Sequence, residues 1–336
     1  MTQKNKKVWP EIDALYTIGT VLVILGHSHS SDWSTFSHTI LEPLIAFIYT
    51  FHMPLFFFIS GFLFNNSSSL EKTGYFNWSK QKSIRLLTPY IVISLVSFLP
   101  KYFVENRSFD GLSLTHIAEL IFVPRKSVWG HFWFLPTLLT IYLVFGLFNK
   151  FLKGEYRNVF LVISGFSSIV LYFLPVSTDI LGFNDLKKNI CFFVFGIVVN
   201  TTIYRTKSKL PVFGKILFII SGTCLCIALS LHFLENDVLM LPVALIMIFI
   251  CWQFATLIKD SKISKFISKN NFTMYIYSWP IQSVVMLFTE KLFSTWYITT
   301  ISMFLSGIFC PLLIAIIYKH ATKLNNKFFD LILGVK

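Results

Sequence analysis

Residues 44–64 read LIAFIYTFHMPLFFFISGFLF, a run without a single Asp, Glu, Lys or Arg. A helix rises 1.5 Å per residue, so about 20 such residues cross the ~30 Å hydrocarbon layer of a bilayer. The run therefore reads as a membrane-spanning helix. Working outward, comparable windows occur at 14–30, 84–103, 131–149, 158–174, 189–204, 212–232, 238–258, 272–289 and 298–318. Together they predict an all-α fold, a polytopic integral membrane helical bundle with about ten transmembrane helices.

The composition agrees with that reading. The chain is 54% apolar and 13% charged, where a soluble domain carries roughly 25% charged residues. A net charge of +13 raises nucleic acid as a partner, and the position of the charges decides the matter. Ten spans starting from a cytoplasmic N-terminus place residues 1–13, the loops near 65–85, 150–157, 205–215 and 259–269, and the tail from Lys319 on the inner side. These segments hold 22 of the 29 basic and 6 of the 16 acidic residues, a net of +16, which leaves −3 for the remainder. Cytoplasmic loops are enriched in Lys and Arg, so solvated anchors account for the basic excess. No nucleic-acid partner is expected. The expected setting is the plasma membrane, multi-pass, with membrane lipids around the chain and both termini cytoplasmic. The usage, rich in Phe, Ile, Lys and Asn, suggests a bacterium of low G+C content.

The first apolar run follows Lys4, Lys6 and Lys7 as a signal peptide would, but no small-residue cleavage site succeeds it, so it reads as a retained helix. No segment between spans is long enough for a separate soluble domain, and residues 1–336 are expected to form a single membrane-embedded domain. The longest external loop is 105–130, with its apolar 112–123 part expected as a short interfacial helix. The five cysteines, Cys191, Cys224, Cys226, Cys251 and Cys310, all lie in apolar runs and read as small buried hydrophobes. Neither a disulfide framework nor a metal site is expected from them.

Ionisable groups inside spans are costly to insert and so are functional candidates. His27 lies 14 residues after Asp13, about 21 Å along a helix. His52 lies eight residues past Leu44 on a descending helix, about 12 Å from its outer end, so the two imidazoles are expected at similar depth. A neutral imidazole accepts a proton from a hydroxyl attacking a carbonyl. Equally, each histidine can simply hydrogen-bond a neighbouring helix. His29 falls on a different face and reads as an interface residue.

Within 51–62, Pro54 frees a backbone carbonyl and the Ser60–Gly61 pair allows a helix or ligand to approach closely. This segment resembles the signature of membrane acyltransferase family 3, the O-acyltransferases that decorate cell-surface polysaccharides and related glycans. The likeness extends to the stretch from Asp13 to His27, to Lys82-Ser-Ile-Arg85-Leu-Leu-Thr-Pro-Tyr90, to Trp129-Gly-His-Phe-Trp133-Phe-Leu-Pro136 and to Tyr275-Ile-Tyr-Ser-Trp-Pro-Ile281.

The resemblance implies a catalytic histidine on the first helix, which maps onto His27, and acyl-CoA, typically acetyl-CoA, as a cytoplasmic donor substrate rather than a permanently bound cofactor. His27 would act as general base on the acceptor hydroxyl or carry the acyl group transiently, and His52 would orient or assist it. Lys82 and Arg85 match a basic pair suited to the phosphates of coenzyme A, and both also read as positive-inside anchors. Asp13, Tyr16, Ser60, Trp133, Tyr275 and Ser278 are supporting candidates, as substrate contacts or structural groups. The family commonly carries an arginine where this chain has Tyr16, which supplies no fixed charge, and a histidine where it has Ser278. The expected function is O-acyl transfer, most simply O-acetyl transfer, to a polysaccharide or lipid-linked oligosaccharide. A glycan export protein using the same polar groups as a passage is the alternative, although no internal repeat of a transporter kind is visible. A further reading is a partner protein that keeps the fold without catalysis. Oligomeric state is not encoded in these features.

Overall fold

A computed structural model of the chain describes residues 9–29, 41–65, 69–104, 118–119, 122–126, 129–203, 211–233, 237–293, 295–321 and 327–334. The helices are α1 (Pro10–Gly26), α2 (Leu41–Asn65), α3 (Ser69–Val104), α4 (Phe134–Leu147), α5 (Asn149–Lys153), α6 (Arg157–Phe173), α7 (Phe183–Val198), α8 (Val212–Phe233), α9 (Asp237–Ile258), α10 (Lys262–Leu292), α11 (Trp296–Ala321) and α12 (Lys327–Leu333). No strand occurs among the described residues. Most of the expected 112–123 interfacial helix lies outside them.

Each apolar window coincides with a helix. Five segments are long and apolar enough to cross a membrane by length and composition: Leu41–Phe64, Gly130–Leu147, Val212–Ser230, Asp237–Ile258 and Trp296–His320. This is a helical membrane protein. The other windows are carried by helices that are shorter or start in charged turns. Pro10 opens α1, where its missing N–H costs nothing, and Glu11 and Asp13 in the first turn complement the helix dipole.

Three stretches expected as loops are helical in part: 65–85, 259–269 and 150–157, the last through the short α5. α3 begins at Ser69, bends at Gly74 (φ 75°), and buries Leu70 and Trp78 while Glu71 pairs with Lys153 at 3.0 Å. Only glycine takes that φ without strain. α10 begins at Lys262, with the Ser261 side chain accepting from the Ser264 N–H, the usual relief for an unsatisfied first-turn donor.

The chain groups into two compact units, one of residues 1–59, 207–324 and 336 and one of residues 60–206 and 325–335. In the first, α10 packs along α1 and α11, and α9 along α1 and α8. In the second, Phe64, Trp78, Tyr142, Phe145 and Phe193 form an aromatic cluster with ring centroids 5.1–6.4 Å apart, within the range of favourable aromatic pairs. Gly61 is the close crossing point that the sequence anticipates: a Cβ there would collide with the backbone carbonyl of Phe193 on α7.

Side chains of α6 (Val162, Ile163, Phe166) and α8 (Phe213, Leu217, Ile220) stand exposed, as suits faces turned to lipid. Cys224 is exposed on α8 rather than buried. His29, expected at an interface, is 5% exposed.

Candidate active site

The last carbonyls of a helix have no intrahelical donor, and at the end of α1 side chains of three segments supply them. The Tyr49 hydroxyl of α2 donates to the Gly26 carbonyl at 2.8 Å. The Ile24 carbonyl accepts from Ser28 Oγ at 2.7 Å and from Gln282 Nε2 of α10 at 2.9 Å. Gln282 Nε2 also donates to Ser28 Oγ at 3.0 Å. A Cβ on Gly26 would lie 2.7 Å from Tyr49 Cε1, so the absent side chain is what admits Tyr49.

His27 caps this helix end with φ −89° and ψ −2°. Its ring centroid lies 4.9 Å from that of Trp279 and 6.1 Å from that of Tyr49. Tyr49 in turn lies 5.1 Å from His52, so both histidines neighbour one tyrosine ring.

His52 is buried, and its Nδ1 lies 2.9 Å from the Ile48 carbonyl one turn earlier. A carbonyl only accepts, so Nδ1 carries a proton and, in the neutral ring, the lone pair is on Nε2. Nε2 is then the nitrogen that can accept a proton.

Below His27 a polar seam joins α1 to α10. Ser268 Oγ donates to Asp13 Oδ1 at 3.1 Å, the Thr17 hydroxyl donates to the Ser264 carbonyl at 2.7 Å, and Ser264 Oγ donates to Thr17 Oγ1 at 3.2 Å. Glu11 pairs with Lys259 at 2.8 Å. Further along, Thr20 Oγ1 and Ser278 Oγ are buried and have no hydrogen-bond partner among the described residues. Leaving a buried hydroxyl unbonded costs about 1–3 kcal/mol. Tyr275 is also buried, and the Tyr16 ring lies 6.2 Å from that of Phe56.

The remaining candidates belong to the second unit. Ser60 is buried beside Gly61. Lys82 Nζ lies 4.2 Å over the Tyr142 ring and 5.6 Å over that of Trp78, a cation–π seat, while Arg85 is exposed. Trp133 is 9% exposed, and one face of it carries the Arg125 guanidinium at 4.6 Å. Arg125 Nε donates to both Asp185 oxygens, at 2.8 and 2.9 Å. Among the described residues no group of three His, Cys, Asp or Glu side chains is set to hold a metal ion.

Sequence reasoning passed over Tyr49 and Gln282. Each is a polar group in an apolar helix, the signal that singled out the histidines.

The comparisons with known proteins agree with the motifs. A family model described as an acyltransferase domain matches residues 9–320. The nodulation protein NolL of Sinorhizobium fredii (strain NBRC 101917 / NGR234) is 28% identical over 187 residues, 54% of this chain and 46% of that protein. The match thus spans less than half of that relative's length. No solved structure matches the chain.

Proposed function

Because the chain belongs to membrane acyltransferase family 3, with the family model spanning residues 9–320, we propose that it moves an acyl group, most simply acetyl, from cytoplasmic acyl-CoA to a hydroxyl of a cell-surface polysaccharide or lipid-linked oligosaccharide. The observation that carries this reading is the placement of His27 at the capped end of α1, beside Trp279 and Tyr49, with the hydrogen-bonded His52 beside the same tyrosine.

In this mechanism an imidazole takes the proton of the acceptor hydroxyl. The oxygen then attacks the thioester carbonyl, the new ester bond forms and the carbon–sulfur bond breaks. Lys82 and Arg85 are the cations proposed for the phosphates of the donor, Arg85 exposed and Lys82 reachable by leaving its aromatic seat. Tyr16 packs on Phe56 and contributes no charge. The proposed setting is the cell membrane of a bacterium, multi-pass with both termini inside, so that the donor arrives on the face bearing the +16 excess.

Membranes bearing His27→Ala are expected to lose transfer from radiolabelled acetyl-CoA to glycan while keeping normal expression. Unchanged transfer in that variant removes His27 from the reaction.

A further inference from the structure

The seam between α1 and α10 extends beyond what acyl-group binding requires. At 3.6 residues per turn, Asp13, Thr17, Thr20, Ile24 and His27 fall within about 40° of one line on α1, and Ser264, Ser268, Tyr275, Ser278 and Gln282 do the same on α10. The two lines face each other. Their lower ends are joined by the Asp13–Ser268 and Thr17–Ser264 hydrogen bonds, and their upper ends by Gln282 to the Ile24 carbonyl.

Between these ends the protein stops satisfying its own groups. Thr20 Oγ1 and Ser278 Oγ, in residues 3% and 1% exposed, and Gln282 Oε1, in a residue 0% exposed, have no hydrogen-bond partner among the described residues. A helical hydroxyl can satisfy itself on the carbonyl four residues back, as Ser28 does, yet Thr20 and Ser278 do not. Three orphaned polar atoms along one helix–helix seam supply the polar partners that a buried water needs.

We propose that the α1–α10 seam holds a file of buried waters and serves as the proton-return route of acyl transfer. The inference rests on the acyl-transfer reading above. When the acceptor hydroxyl is deprotonated, the imidazole becomes cationic, the oxygen–acyl bond forms, the carbon–sulfur bond breaks, and a thiolate leaves on the inner side. The proton on the imidazolium has to reach that thiolate to give free thiol and restore the base. The seam leads from His27 past Ser278 and Thr20 to the Asp13 carboxylate, about 21 Å away along α1, with Glu11 and Lys259 paired beside its inner end and Tyr49 and His52 facing its upper end. The balance is one alcohol and one thioester in, one ester and one thiol out, with the proton conserved.

Two measurements on the purified full-length protein test this. Radiolytic hydroxyl-radical labelling requires water beside the labelled side chain, so Ile24 is expected to label while the equally buried Leu55 and Ile59 of α2 stay unlabelled. A seam as silent as Leu55 and Ile59 overturns the proposal. In the second, Thr20→Val with Ser278→Ala is expected to lower kcat about tenfold, leave both KM values in place, and raise the solvent deuterium isotope effect on kcat. An unaltered isotope effect in a variant with normal KM overturns the return route. A labelled seam in a wild-type protein with no acyl transfer overturns the acyl-transfer reading itself and the proton role with it.

Discussion

The Tyr49 hydroxyl donates to the Gly26 carbonyl at 2.8 Å, tying the second helix to the last peptide of the first. His27 follows that peptide directly, so the bond sets the angle at which its imidazole is presented. Tyr49→Phe keeps the ring and removes only the donor, leaving a helix-end carbonyl unsatisfied at a cost of about 1 kcal/mol. The expected result is a modest drop in melting temperature in detergent and a several-fold lower kcat with unchanged KM. Wild-type kcat in this variant separates His27 from the Tyr49 bond.

Gly61 carries the backbone crossing of α2 and α7, and its missing Cβ leaves room for the Phe193 carbonyl. That obstacle is main chain and cannot rotate away. Gly61→Ala is expected to cost about 1–3 kcal/mol, toward the upper end, seen as reduced detergent-stable yield and a lower melting temperature. Ser60→Ala, one residue earlier, adds no atoms and is the control for general sensitivity of the turn.

These two contacts divide what was legible in the sequence from what was not. An uncharged run such as 44–64 announces a helix because composition alone sets its free energy in lipid, and His27 and His52 stand out because imidazoles are rare in such runs. The use of Gly61 as a crossing point was also readable, since a small residue there has few other purposes. The capping of Gly26 by Tyr49 was not readable, because it depends on the register of two helices whose contacting residues lie 23 positions apart. The same holds for the seat of Lys82, expected from the sequence as a coenzyme A contact or a positive-inside anchor, which sits over the Tyr142 ring only because α3 and α4 pack together. Lysine-rich stretches were read as loops, yet 69–85 is helical: Leu70, Trp78 and the Glu71–Lys153 pair give that face a structural partner.

In the second unit the Arg125–Asp185 pair pins the segment before Trp133 onto the start of α7. The Asp185 side chain is 7% exposed and that of Arg125 is 51% exposed, so removing the guanidinium strands a buried carboxylate whereas removing the carboxylate frees an already hydrated cation. Arg125→Ala is therefore expected to destabilise more than Asp185→Ala, by roughly 1–2 kcal/mol at low salt. Melting curves of both variants and of the Arg125→Asp, Asp185→Arg exchange check this; failure of the exchange to recover any stability shows that bidentate geometry, not charge, sets the cost.

His52 offers the sharpest division between holding and reacting. Its Nδ1–H donates to the Ile48 carbonyl, which leaves Nε2 as the acceptor. Asparagine places an amide N–H close to where Nδ1–H stood but has no group at the Nε2 position, while glutamine reaches the Nε2 position and abandons Ile48. If Nε2 handles a proton during transfer, His52→Asn keeps its melting temperature and both KM values and loses about 100-fold in kcat, the lower range for a general acid–base group. If His52 only anchors α2, His52→Asn retains activity and His52→Gln is the damaged variant. Because Tyr49 neighbours both His52 and His27, combining His52→Asn with Tyr49→Phe reads out their coupling: losses that multiply mean independent roles, and losses no greater than that of His52→Asn alone mean that the tyrosine acts on the proton through His52.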